Sequence, residues 1–417
     1  MLTATVLANG IHIISEHVSS VRSVSLGIWV NAGSRQDPPH KSGMAHFSEH
    51  MLFKGTKQRS ATQIAKEIDA LGGVLNAQTA KEYTVYYVKV LDEHLDKASE
   101  VLFDLFLNSG FDPEELEKEK NVVLQEIHMT EDTPDDFITE LFARTFFYDT
   151  SLGSSILGSL DSVRSFERQD LLDFISHTYD PSSIVIVAVG NVEHQQLLDL
   201  TVAKFESLSC GEQHLKQQEK LNNTGTIEAH FRELEQVHFT LGTSGPAMSD
   251  ERRWSYIVLN TILGGSMSSL LFQEIRENLS LVYSIYSYVS AFEDCGTMAV
   301  YAGTTPENIN KTLEIVLQQM QRLKEKDLAD VRLEDIKAQI KGNLLLSRES
   351  TESRMASIAK NEIYYKREVS IEEIIEKIQQ VEETDLIELA RDIFVPEKMT
   401  LVTLGNIHKD QLKLSTL

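Results

Sequence analysis

The chain reads as an α+β protein made of two homologous mixed α/β domains, and three observations predict it. The stretch Asp180-Pro181-Ser182-Ser183-Ile184-Val185-Ile186-Val187-Ala188-Val189-Gly190-Asn191-Val192 recurs 215 positions later as Val395-Pro396-Glu397-Lys398-Met399-Thr400-Leu401-Val402-Thr403-Leu404-Gly405-Asn406-Ile407. At a displacement of 214, Leu95-Asp96-Lys97 and Glu100-Val101-Leu102-Phe103 reappear as Ile309-Asn310-Lys311 and Glu314-Ile315-Val316-Leu317. Two anchors with nearly one offset mark an internal duplication. Third, strand-like runs such as Val24–Val30 and Thr297–Tyr301 accompany long amphipathic helices, such as one starting at Pro306, a mixture that fits sheets covered by helices. The two copies occupy residues 1–208 and 226–417. Between them, 209–225 reads as an exposed linker, because Cys210 to Thr226 is rich in Gln, Lys, Glu, Asn and Gly and poor in apolar residues.

Along the first copy, His46-Phe47-Ser48-Glu49-His50 lies in a helix that Ser42 can cap and Gly55 can end, with Met44, Phe47, Met51 and Leu52 at helical spacing. Histidines at i and i+4 stand one above the other, and Glu49 shares their face. Two neutral imidazoles there can hold Zn²⁺ while the glutamate remains free as a base, the reverse order of the commoner H-E-x-x-H. A solvated His/Glu face is the alternative.

A second helix, capped by Ser60, stops at Gly72-Gly73, and Val74-Leu75-Asn76-Ala77-Gln78-Thr79 follows as an extended segment suited to an open sheet edge. A third helix runs over 112–129, with Asp112 at its N-cap, Pro113 at N1 and Glu115 completing a D-x-x-E capping box. On it Glu119 and Glu126 lie seven residues apart on one face. Glu126 stands among Val122, Val123, Leu124 and Ile127, where a carboxylate needs a partner and a metal ion would serve. The alternative is a solvated acidic face paired with Lys118 and Lys120. His128 is turned away from that face and reads as structural.

Composition bounds the function classes. A chain of 417 residues is long enough for two domains that each bury a core. No apolar run approaches the ~18 residues of a membrane span, and the first ten residues resemble neither a secretory signal nor an Arg-rich presequence. With 39 basic and 63 acidic residues the net charge is −24, which repels nucleic acid and leaves neutral or basic peptides acceptable. Two cysteines, Cys210 and Cys295, cannot frame a disulfide scaffold, so a reducing cytoplasm is expected.

The H-x-x-E-H motif, a glutamate 76 residues beyond its second histidine and another seven residues before that one resemble the pitrilysin/insulysin family of inverted zinc peptidases. The flanks A-H-F-S-E-H-M-L-F-K-G-T and L-Q-E-I-H-M are most similar to the mitochondrial processing peptidase β-subunit and its small bacterial relatives. The resemblance spans the chain. It implies two α/β domains closing like a clamshell around a chamber, and a zinc endopeptidase acting on unfolded peptides or flexible segments. It further implies one Zn²⁺ per chain held by His46, His50 and Glu126, with Glu49 as general base and Glu119 as an outer carboxylate supporting the ligands.

At a displacement of 211, Ile257, Asn260 and Thr261 stand opposite His46, Glu49 and His50, so the second copy has no metal site. Its expected contribution is Arg276 with Tyr283. The segments Gly264–Ser269, Phe272–Glu277 and Leu281–Ser284 resemble the family stretch whose Arg/Tyr pair binds substrate and stabilises the tetrahedral intermediate. A cationic fork and a phenol both suit an oxyanion. Without the resemblance, Arg276 fits a helix-face pair with Glu274 or Glu277, and Tyr283 an ordinary strand aromatic. The chain departs from the family at Ser280, where glycine is usual; a positive φ there would strain a serine. By the same resemblance Asn76 and Ala77 lie near the scissile bond, on a strand edge that binds peptide backbone. A homodimer is expected. The alternative is a non-catalytic or hetero-oligomer-dependent subunit of a processing peptidase, which the complete motif disfavours.

Overall fold

The computed structural model describes residues 2–210, 219, 225–325 and 331–413, so most of the expected linker, 209–225, lies outside the described residues. The first sheet contains β1 (Leu2–Val6), β2 (His12–His17), β3 (Ser23–Val30), β4 (Val74–Thr79), β5 (Thr84–Leu91) and β6 (Ile184–Gly190), in the order β1-β2-β6-β3-β5-β4. The second contains β7 (Ile227–Phe231), β8 (Val237–Gly245), β9 (Val282–Ala291), β10 (Gly296–Thr304) and β11 (Thr400–Gly405), in the order β7-β11-β8-β10-β9. With β1 set aside, the orders superimpose strand for strand, and so do the pairings. β2/β6 and β7/β11 are parallel, while every other neighbouring pair is antiparallel. Gly190 and Gly405, which end the duplicated strand, both take positive φ, 136° and 144°. The duplication read from sequence is therefore a duplication of topology.

Helix starts agree in the same way. The helix α3 (Leu95–Asn108) and its counterpart Ile309–Glu325 begin at residues 214 apart; the latter starts three residues after Pro306, because Thr305–Asn308 forms a turn first. The remaining helices that shape the first unit's site are α1 (Met44–Leu52), α2 (Ala61–Ala70) and α4 (Pro113–Asp132).

Strand alternation decides which face of each sheet is covered by what. In β3, Val24, Leu26 and Ile28 enter a core with Ile64, Ile68, Val101, Leu102 and Leu105 of α2 and α3. The opposite face, with Trp29, Val185 and Val187, packs on Met355, Ile358 and Ile363 of the helix Thr351–Tyr365. In the second sheet, Phe239, Leu241 and Val300 face the helices Arg253–Leu263 and Ile309–Glu325, while Ala299, Tyr301, Val402 and Leu404 meet Ile138, Leu141 and Phe142 of α5 (Pro134–Phe146).

The compact units consequently differ from the two sequence halves. One comprises Met1–Met129, Ser154–Gln217 and Ser347–Glu368; the other comprises Thr130–Gly153, Gln218–Leu346 and Val369–Leu417. Each half lends a helix to the other's sheet.

Two local expectations change. Ser42 does not cap α1; Gly43 occupies the N-cap without a side-chain bond. The acceptor comes from Asp37, whose carboxylate takes the N–H groups of Gly43 at 2.6 Å and Ala45 at 2.8 Å. Gly55 is not the stop either, since α1 ends at Leu52 with Phe53 as C-cap. Burial pushes the Asp37 carboxyl up to about 7, against the pull of its Ala45 and Gly43 donors and of Lys81. Loss of this cap in Asp37→Ala should lower stability by about 1–2 kcal/mol, read by denaturant unfolding. Because the folded state holds the Asp37 proton more tightly than the unfolded chain, this residue's contribution to stability should fall as pH rises from 3.8 to about 7. Asp37→Asn should remove that slope.

Candidate metal centre

One apolar cluster explains why the ligating side chains meet. Met44, Ala45, Phe47 and Met51 of α1 pack with Leu116, Val123 and Ile127 of α4, and Phe166 closes over Phe47 at a ring separation of 5.2 Å. With those faces buried against each other, the polar faces of α1 and α4 converge. His46 and His50 stand with ring centroids 4.4 Å apart. Their Nε2 atoms lie 3.8 Å and 3.6 Å from Glu126 Oε2. Among the described residues this is the one group whose donor atoms could share a metal ion, all within 4.8 Å of one another.

The donor set fits zinc. Ligands at ~2.0–2.2 Å from one tetrahedral ion lie only slightly closer together than these atoms do. Glu126 Oε2 is buried with no hydrogen-bond partner, an expensive state for a carboxylate oxygen that a cation would relieve. Burial, reinforced by the neighbouring His50, pushes His46 down to about 3, so it stands neutral and ready to coordinate.

Glu119 is 3 % exposed, which excludes the solvated-face alternative for this residue. Lys118 and Lys120 pair instead with Glu115 and Glu117. The Glu119 carboxylate accepts from His50 Nδ1 at 2.7 Å and from Lys54 Nζ at 2.5 Å. Burial works against its charge, but His50 and Lys54 outweigh it and hold Glu119 below its ordinary range. For His50 burial is likewise outweighed, by Glu119 and the charge of Glu126, and its affinity for a proton rises. A carboxylate on Nδ1 fixes the ring so that Nε2 points at the open centre.

Glu49 lies on the same face. Burial raises its pKa, and hydrogen bonding from Thr79 opposes that rise. The Thr79 hydroxyl donates to Glu49 Oε2. Asn76 and Ala77 sit on the same strand, β4, at the free edge of the first sheet, and Asn76 Oδ1 accepts the Ala77 N–H at 2.9 Å.

Arg276 and Tyr283 belong to the other unit, so the structure groups the expected site residues in two sets. Arg276 lies in a π-helical turn, Phe272–Asn278, with its guanidinium over the rings of Phe272 at 4.5 Å and Tyr283 at 5.3 Å. Its separation from Glu277 is 3.9 Å, a weak ion pair. Tyr283 is 79 % exposed. Two residues beyond that turn, Ser280 has a φ of 51°, so the serine does occupy the left-handed region. Ser280→Gly should raise stability by about 0.5–1 kcal/mol, the left-handed penalty of the side chain less the extra chain entropy of glycine. A thermal-unfolding comparison checks it. Ile257, Asn260 and Thr261 fall within the helix Arg253–Leu263, and the Thr261 hydroxyl bonds back to the Ile257 carbonyl at 2.9 Å.

Sequence reasoning missed Thr79, Lys54 and Asp37. Only Thr79 had a local signal, a hydroxyl closing the strand that carries Asn76.

Comparison with known proteins identifies the family. The family model described as Insulinase (Peptidase family M16) matches residues 12–160, and that described as Peptidase M16 inactive domain matches 165–340. Relatives named as uncharacterized zinc proteases include one from Streptomyces coelicolor, 40 % identical over 93 % of this chain and 86 % of its own length. Another, from Bacillus subtilis, is 40 % identical over 93 % of this chain and 95 % of its own. The fold is shared with the crystal structure of a protease from Helicobacter pylori, with TM-score 0.91, 23 % identity, and coverage of 97 % of this chain and 99 % of that one. By these matches the chain belongs to peptidase family M16, the insulinase family.

Proposed function

We propose that the protein is a zinc-dependent endopeptidase that cleaves unfolded peptides or flexible protein segments. The observation that carries this reading is the convergence of His46 Nε2, His50 Nε2 and Glu126 Oε2, with Glu49 on the same helix face but outside that ligand group. His46, His50 and Glu126 would hold one ion per chain. When bound, zinc supplies Lewis acidity, which acidifies water and polarises a peptide carbonyl. Glu49 takes the attacking water's proton and delivers it to the amine nitrogen as the C–N bond breaks. Glu119 holds His50 in register throughout.

Peptide binding falls to β4. Its open edge offers backbone groups to an extended chain with little demand on sequence, and Asn76 and Ala77 lie along it. Strand addition needs an extended partner, which excludes residues locked in a folded domain. Arg276 and Tyr283 are proposed to donate to the oxyanion from the second unit when it closes with the first into a chamber. The metal centre then belongs to the domain 1–208, and 226–417 contributes the Arg/Tyr pair. A cytoplasmic homodimer completes the reading. The complete ligand set disfavours a non-catalytic or hetero-oligomer-dependent subunit.

Metal analysis of the purified protein, followed by hydrolysis assays with and without chelator, tests the proposal. One zinc per chain, chelator-sensitive cleavage of an unstructured peptide restored by added zinc, and resistance of a stable globular protein are expected. Full activity in chelator would overturn it.

A further inference from the structure

We infer that Thr79 is the positioning residue for Glu49, tying the strand that receives the peptide to the group that moves the proton. The inference rests on the reading of Glu49 as general base. Glutamate has three flexible torsions, and a carboxylate in a buried site needs donors to remain ionised and to point one way. Thr79 supplies both through its hydroxyl. With Oε2 engaged by the hydroxyl, Oε1 is the oxygen left to accept the water's proton and pass it to the leaving amine.

Thr79 can act as a fixed reference because its strand end is braced. It closes β4, is 9 % exposed, and pairs with Thr84 across the turn into β5. That turn is held from below by the segment after β3. Ser34 N–H donates to the Ala80 carbonyl at 3.0 Å and Arg35 N–H to the Lys81 carbonyl at 2.8 Å, while the Arg35 side chain forms a buried pair with Glu82 at 2.8 Å. Gly33 makes this approach possible, since a Cβ there would meet the Ala80 oxygen at 2.1 Å. Two residues after Arg35, Asp37 caps α1, the helix that carries Glu49. Strand end, brace, helix and base thus form a closed ring of contacts. Thr79 lies three residues from Asn76, or ~10 Å along the strand, so a peptide added along β4 is registered against the same residue that aims the base.

Thr79→Val and Thr79→Ser separate the hydroxyl from its packing. Valine should lower kcat by ~10- to 100-fold with KM within ~2-fold of wild type, because the geometry of proton transfer is lost while the strand edge remains. Serine should stay within ~3-fold in kcat. Zinc occupancy and the affinity of a fluorescent, uncleaved peptide for Glu49→Gln should be the same with and without Thr79→Val, and that substitution should not reduce the residual turnover of Glu49→Gln further. Wild-type kcat in Thr79→Val, an effect confined to KM, lost zinc, or a serine variant as impaired as the valine one would each overturn the inference. Near-normal turnover of Glu49→Gln would instead remove the base reading beneath it.

Discussion

Glu49→Gln is expected to keep zinc and peptide binding while kcat falls by ~10²- to 10⁴-fold, the range for losing a positioned general base. Glutamine preserves the side chain's size and can still accept from Thr79, but its amide cannot take a proton from water. The site around it should therefore persist. His46, His50 and Glu126 make their contacts independently of Glu49, and α1 is held by Asp37 and by the apolar cluster it shares with α4. Single-turnover hydrolysis with parallel metal analysis checks the result. Retained zinc with near-normal turnover would assign the proton to another group.

His46→Ala, His50→Ala and Glu126→Gln should each leave a protein that loses zinc on dialysis and has no measurable peptidase activity. Three protein ligands with a fourth position for water leave no redundancy, and an amide oxygen is a poor substitute for a carboxylate. Among the described residues the second copy offers no replacement, and Ile257, Asn260 and Thr261 stand where the motif would be. Glu119→Gln should be milder, at ~10- to 100-fold in metal affinity or activity, because it removes an orienting partner of His50 and not a ligand. Competition with a chromophoric chelator would rank all four variants. Equal affinity for Glu119→Gln and Glu126→Gln would break the distinction drawn between them.

The sequence by itself determined the fold class, the duplication and the candidate ligands. The fold class and the duplication rest on periodicity and on a repeat within the sequence, and the ligand set on helical spacing joined to a family resemblance. Helical spacing puts His46, Glu49 and His50 on one face whatever surrounds α1, seven residues separate Glu119 from Glu126 on one face of α4, and a repeated strand ending in Gly-Asn marks two copies of one sheet. Tertiary structure decided what depends on partners distant along the chain. It showed that Asp37, and not Ser42, caps α1; that Lys54 and His50, and not Lys118 or Lys120, neutralise Glu119; and that Thr79 meets Glu49. It also exchanged helices between the halves, laying Thr351–Tyr365 on the first sheet and Pro134–Phe146 on the second. No periodicity within a segment encodes such exchanges. An amphipathic helix reveals which face it buries, but the sheet that receives that face is chosen only when the chain as a whole folds.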